Sequence, residues 1–231
     1  MKAFFKKLIL GKPNLEQKST PKVIDRRKRN VKSIWENEHH NDIGLEKIVR
    51  LLLASSQFLF PGSYIKHYFE KKGIHYKDLA VDALVLTKVC FPIFILKFQL
   101  EHNSFFFWFQ IWLVLETILY IPTLIFASDT MTRTRSYRRS MLLVFLNYIE
   151  IILAFAVFYA SGDHLNKPLD NWYESVYFSF TTASSMGLGD FHPVTPFGKL
   201  LVCIQAILFL LFVVIFLNFF SNKVESKGYF E

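Results

Sequence analysis

The 231-residue chain is 52% hydrophobic and 17% aromatic, with 26 phenylalanines and a formal net charge of +8. Such apolar and aromatic content at this length exceeds what a soluble domain carries and points to a membrane protein. Only two cysteines occur, Cys90 and Cys203, both inside long apolar runs, which excludes a disulfide framework and a four-ligand zinc site.

Residues 1–50 hold 13 Lys and Arg against 6 Asp and Glu, so +7 of the net charge lies near the N-terminus. Residues 1–45 are polar and without strong periodicity, as expected of a poorly ordered basic cytoplasmic tail with a helical piece near its end. The start "MKAFFKKLILGK" is not a signal peptide, because Lys6 and Lys7 interrupt the apolar run of roughly 7 to 15 residues that such a peptide needs; the tail is expected in the mature protein. The cluster "DRRKRN" at 25–30 suits anionic lipid headgroups, and no nucleic-acid partner is expected. In "ENEHHND" at 36–42 the adjacent histidines point to different helix faces, which fits a solvated stretch rather than a metal site. The run "LEKIVRLLLASSQFLF" at 45–60 is apolar with one basic face and is closed by Pro61 and Gly62. Too short and too charged to span, it is read as a helix lying in the cytoplasmic interface. With the aromatic and lysine-rich "SYIKHYFEKKGIHYKD" that follows, it makes residues 46–78 an interfacial amphipathic segment. A fifth span here is the competing reading, and it would put the basic N-terminus outside, against the positive-inside bias.

Four runs have the length of about 20 residues needed to cross the hydrocarbon: 79–100, 105–127, 141–160 and 200–220. The first two form a two-helix N-terminal membrane unit, 79–127. The connection 128–140, "SDTMTRTRSYRRS", carries four arginines, whereas "EHNS" has none and "SGDHLNKPLDN" has one lysine. The arginine-rich loop is therefore cytoplasmic, with the N-terminus and the short tail 221–231 on the same side, and the plasma membrane is the expected location. Arg133, Arg135, Arg138 and Arg139 lie in a polar loop rather than inside a span, which argues against a voltage sensor and for contact with anionic lipid or coupling to the pore. Lys88, Glu116 and Glu150 fall near the centres of their spans. Adjacent antiparallel helices would bring Lys88 level with Glu116, as a buried pair or as a proton or cation sensor.

Between the last two spans, "NWYESVYFSFTTA" at 171–183 is too short to cross a bilayer and apolar enough to enter one, so it reads as a re-entrant half-helix. Residues 184–190 then place non-helical backbone at membrane depth, tolerable only where it is buried in protein or faces water. Carbonyls exposed there suit one task, replacing the hydration shell of a cation. The order of span, half-helix, "TTASSMGLGD", the return "FHPVTPFGK" and a final span resembles the pore module of potassium channels, whose filter reads TVGYG. In detail "YFSFTT…GLGD" is similar to the tandem-pore potassium channels. The resemblance covers residues 141–220, read as the pore domain, and implies an all-α membrane protein of four transmembrane helices with a re-entrant pore helix and filter loop between the last two.

By that resemblance Ser185 stands for the filter threonine, Met186 for the valine, Gly187 and Gly189 for the glycines, Leu188 for the tyrosine, and Asp190 for the acid at the outer mouth. Thr181, Thr182 and Ser184 belong to the pore helix and its end. Glycines at 187 and 189 permit the backbone that aims successive carbonyls one way. Four copies surround an ion, so one loop per chain implies a homotetramer, with K⁺ as permeant ion and no cofactor. Gln205 and Asn218 either face the pore or bond between helices. The last span has no glycine between 200 and 220, so its bulky side chains would gate by dewetting. Leu188 lacks the tyrosine's hydrogen bonds, Ser185 lacks a methyl group and Met186 is flexible, which leaves a weakly selective or non-selective monovalent cation channel as the near alternative. A secondary transporter usually needs two related halves, and no repeat is visible. A membrane assembly protein would need no filter. No nucleophile with a base and no phosphate-binding loop is present, so no enzyme is expected.

Overall fold

The helices follow from where apolar runs begin and where capping groups and turns end them. The computed structural model describes residues 23–37, 42–60, 62–70, 73–127 and 137–224. The tail 1–22, the His39 and His40 pair, Arg133, Arg135 and residues 225–231 lie outside the described residues. Eight helices follow in chain order among them: α1 (Val23–Trp35), α2 (Leu45–Ser56), α3 (Gly62–Glu70), α4 (Ile74–Lys97), α5 (Ser104–Phe126), α6 (Tyr137–Ala160), α7 (Trp172–Ala183) and α8 (Pro196–Val224). Four of them, α4, α5, α6 and α8, are long and apolar enough to cross a membrane. The chain is an all-α membrane protein.

The described residues divide into two compact units, those within 23–86 with 122–127, and those within 87–121 with 137–224. In the first unit the "DRRKRN" cluster is helical, within α1, which packs on α2. The Arg27 guanidinium lies 4.3 Å from the Tyr64 ring centre and 5.6 Å from that of Phe58, a pair of cation–π contacts. Arg50 and Asp42 form a buried ion pair at 3.1 Å. Leu53 and Ala54 of α2 are buried, while Leu45, Ile48, Val49 and Leu52 are exposed along a stripe of helical spacing.

In the second unit α4 ends at a left-handed Gln99 (φ 54), where Leu100 N–H donates to Ile95 O at 2.9 Å and closes the last turn. Asn103 caps α5 by accepting the Phe105 N–H at 3.0 Å. Ile95, Leu96, Ala156 and Val157 make a buried cluster, with Phe91, Phe106, Ala160 and Val176 packed against it, so α4, α5, α6 and α7 share one core. Helix α6 is the centre: residues 150–159 are buried without interruption, and 61% of its membrane window is buried against 28% for each other span.

Three of the four spanning helices, α4, α6 and α8, begin four or five residues before the expected spans, because hydropathy marks only the embedded part and the helix runs on into polar flanks, whereas α5 begins one residue before. Arg138 and Arg139 accordingly sit in the first turns of α6 rather than in a loop. The return "FHPVTPFGK" is likewise part helix: Pro196 opens α8, and the Thr195 hydroxyl accepts the Gly198 N–H at 3.0 Å as a cap. Gly198 is required there, since a Cβ would lie 3.0 Å from the His164 carbonyl oxygen.

Candidate functional site

Helix α7 brings the "SSMGLGD" stretch into place. Its N-terminus is fixed by Glu174, whose carboxylate accepts the N–H groups of Asp170 (2.8 Å) and Asn171 (3.3 Å). Asn-x-x-Glu before an apolar run is a capping signal legible in the sequence. At Ser179 three hydrogen bonds tie α7 to its neighbours. The Ser179 hydroxyl donates to Ile152 O on α6 at 2.6 Å, while Gln205 Nε2 on α8 donates to Ser179 O (3.0 Å) and Ser179 Oγ (2.9 Å). The Tyr159 hydroxyl donates to Gln205 Oε1 at 2.8 Å, so every polar group of this buried chain has a partner. Of the two readings open for Gln205, the one with bonds between helices matches its burial; Asn218 is exposed on α8.

The C-terminus of α7 turns directly into the loop. Thr181 O accepts the Met186 N–H at 3.0 Å and Thr182 O accepts the Ser185 N–H at 3.1 Å, while the Ser184 hydroxyl donates to Phe180 O at 2.8 Å. The Tyr148 hydroxyl of α6 donates to Ala183 O at 3.0 Å, satisfying a carbonyl that a helix end leaves open. Beyond this anchor the backbone alternates. Ser185 (φ 56), Gly187 (φ 55) and Gly189 (φ 82) are left-handed, and Met186 and Leu188 between them are not. Alternation of that kind turns successive peptide units so that like groups point to one side. The glycines were the expected positions; Ser185 carries a side chain in a conformation that costs an L-residue about 1–2 kcal/mol, which marks the segment as strained.

Residues 184–190 are all exposed on the single chain, Met186 at 66% and Leu188 at 58%. Their backbone is held from behind and below, with its outer surface open. At the far end of the loop Asn166 makes three bonds to the return segment: Nδ2 donates to Asp190 O (3.3 Å), its backbone N–H to His192 O (3.0 Å), and Oδ1 accepts the His192 N–H (2.9 Å). Phe191 stacks edge-on against Tyr177 of α7 at 6.3 Å. Desolvation first, and then the nearby Asp190 carboxylate, raise the Tyr177 phenol above the ordinary tyrosine value. The site residues read from the sequence thus fall into one continuous segment, with Gln205 behind it. Reading residue by residue missed Tyr148, Tyr159, Ser179 and Asn166. Tyr159 and Ser179 carried a signal, a hydroxyl among apolar neighbours; Tyr148, beside Asn147, and Asn166, in a polar stretch, carried none.

Residues 143–226 match the family model described as "Ion channel", a range that runs from α6 through α7 and the loop to past the described end of α8. No curated protein and no solved structure matches the chain. The family match and the four helices able to cross a membrane together support an ion channel carried by an integral membrane protein.

Proposed function

We propose that this protein is a potassium channel that passes K⁺ down its electrochemical gradient through a homotetrameric pore lined by the carbonyls of Ser185, Met186, Gly187 and Leu188, with Gly189 closing the filter. The observation that carries the reading is the alternation of left-handed backbone at 185, 187 and 189 in an exposed loop at the end of a half-helix. Aligned carbonyls replace water around a dehydrated monovalent cation, and four chains complete the shell. In this reading the termini are cytoplasmic in the plasma membrane, and the basic segments of α1 and the arginine-rich loop meet anionic headgroups.

The deciding experiment is bilayer recording of the purified protein with K⁺ on one side and Na⁺ on the other. A tenfold K⁺ preference displaces the reversal potential by about 59 mV. A reversal potential near zero overturns potassium selectivity and leaves the second reading, a weakly selective cation channel, which Leu188 favours because its side chain offers no hydrogen bond to stiffen the loop.

Asp190, exposed at the outer end, concentrates cations before they enter. Asp190→Asn is expected to lower single-channel conductance about twofold or more in dilute salt and little in molar salt, where the Debye length shrinks to about 3 Å. An equal loss at both salt concentrations would remove the electrostatic explanation.

A further inference from the structure

Three helices of the second unit place charged groups against one another inside their membrane spans. Lys88 Nζ on α4 lies 2.8 Å from Glu116 Oε2 on α5 and donates to Thr117 Oγ1 at 3.1 Å. The Thr117 hydroxyl lies 2.8 and 3.0 Å from the two carboxylate oxygens of Glu150 on α6 and donates to them. Lys88 and Thr117 are buried, and Glu150 is wholly so. One ammonium stands against two carboxylates. Lys88 and Glu116 neutralise each other, and the group next to Glu150 is a hydroxyl without charge. A net negative charge at this depth is costly, and a single proton removes it.

We propose that Glu150 is a proton-binding site and that its occupancy is transmitted through α6 to the pore helix α7. The step is a simple protonation: a proton from bulk water adds to one Glu150 carboxylate oxygen, and no other bond is made or broken. On release, Glu150 becomes a second carboxylate competing with Glu116 for Lys88, and the Thr117 hydroxyl lies between the competitors. The groups facing it are Lys88 from α4 and Glu116 and Thr117 from α5. Tyr120 lies one turn further along α5, near Lys88 and Arg139, and Asn147 lies one turn below Glu150 on α6. Helices α7 and α8 pack on α6 as well, and no charged group of theirs is among those acting on Glu150.

The route to the pore is short. Tyr148, which holds Ala183 O, and Ile152, which holds the Ser179 hydroxyl, flank Glu150 in sequence. At 100° per residue these two share one face of α6 and Glu150 points to the opposite one. A shift of α6 toward or away from Lys88 therefore moves both ties on α7 together.

The effect on conduction rests on the channel reading; the proton site does not, and the test separates them. Wild type, Glu150→Gln and Glu150→Asp are reconstituted and taken from pH 9 to pH 5. Infrared spectra of the wild type are expected to gain the carbonyl stretch of a neutral carboxyl group that Glu150→Gln lacks and Glu150→Asp keeps. Wild-type current is expected to change at least fivefold over the range. Glu150→Gln, which keeps the size but takes no proton, is expected to be flat at the wild type's acid level, with Glu150→Asp still pH-dependent. An infrared band unchanged in Glu150→Gln overturns the proton site. A current profile that survives Glu150→Gln, or that vanishes instead in His164→Gln or His192→Gln, overturns its transmission to the pore. Loss of the band with no current from the wild type at any pH leaves the proton site standing and refutes the channel reading.

Discussion

Gly187→Ala is expected to abolish conduction, lowering K⁺ current at least roughly a hundredfold, while the protein still reaches the membrane and assembles. The cause is torsional rather than steric, because a Cβ on Gly187 would meet nothing within 4 Å on its own chain. At φ 55 an L-residue costs about 1–2 kcal/mol, and the four copies of the proposed tetramer multiply that to about 4–8 kcal/mol along the proposed path. Alanine relieves the strain by returning to negative φ, which rotates the adjoining peptide and takes its carbonyl off the common side. Ser185 shows that the loop can hold one side chain in this conformation. Current, surface expression and cross-linked oligomer size measured together provide the check. Unchanged current would mean that the left-handed backbone at 187 is not part of the conduction path.

The second large effect is expected behind the loop. Gln205→Leu removes both ends of the amide that joins Tyr159 to Ser179, leaving a buried phenol without its acceptor and taking from Ser179 O and Oγ the amide donor they share. The orphaned phenol costs about 1–3 kcal/mol, so the loss is about 2 kcal/mol. For a chain of this size that lowers the melting temperature by roughly 4–8 °C. Thermal unfolding of the detergent-solubilised protein reads it directly. The double variant with Tyr159→Phe should lose less than the sum of the single losses, since Tyr159→Phe removes the orphan; strict additivity would show that the two side chains do not act as a unit.

The four spans, the half-helix at 171–183 and the pairing of Lys88 with Glu116 were legible because each depends on a local run or on register alone. Twenty apolar residues have one stable place in a bilayer, and two antiparallel helices joined by a short turn must set Lys88 near Glu116. Helix ends were less legible. The polar first turns of α6 and α8 carry no hydropathy signal, although Thr195 and Pro196 were a readable cap. Partners chosen by three-dimensional packing were not legible at all. Nothing in one dimension connects Tyr148 with Ala183 or Glu150 with Thr117, and Gln205 carried two readings until burial and hydrogen bonds were visible. Ser185 reads from the sequence as the stand-in for the filter threonine, and its left-handed backbone has no mark in the sequence.

The exposure of residues 184–190 on a single chain has a thermodynamic meaning. One copy can offer an ion carbonyls from one side only, so in the proposed tetramer the coordination shell belongs to the assembly and to none of its members. A ligand that binds only the assembled state adds its binding free energy to association. Permeant ion and quaternary structure are then linked variables: ion activity sets how firmly the four chains hold together, and the ion in transit serves as a subunit contact that is continually replaced.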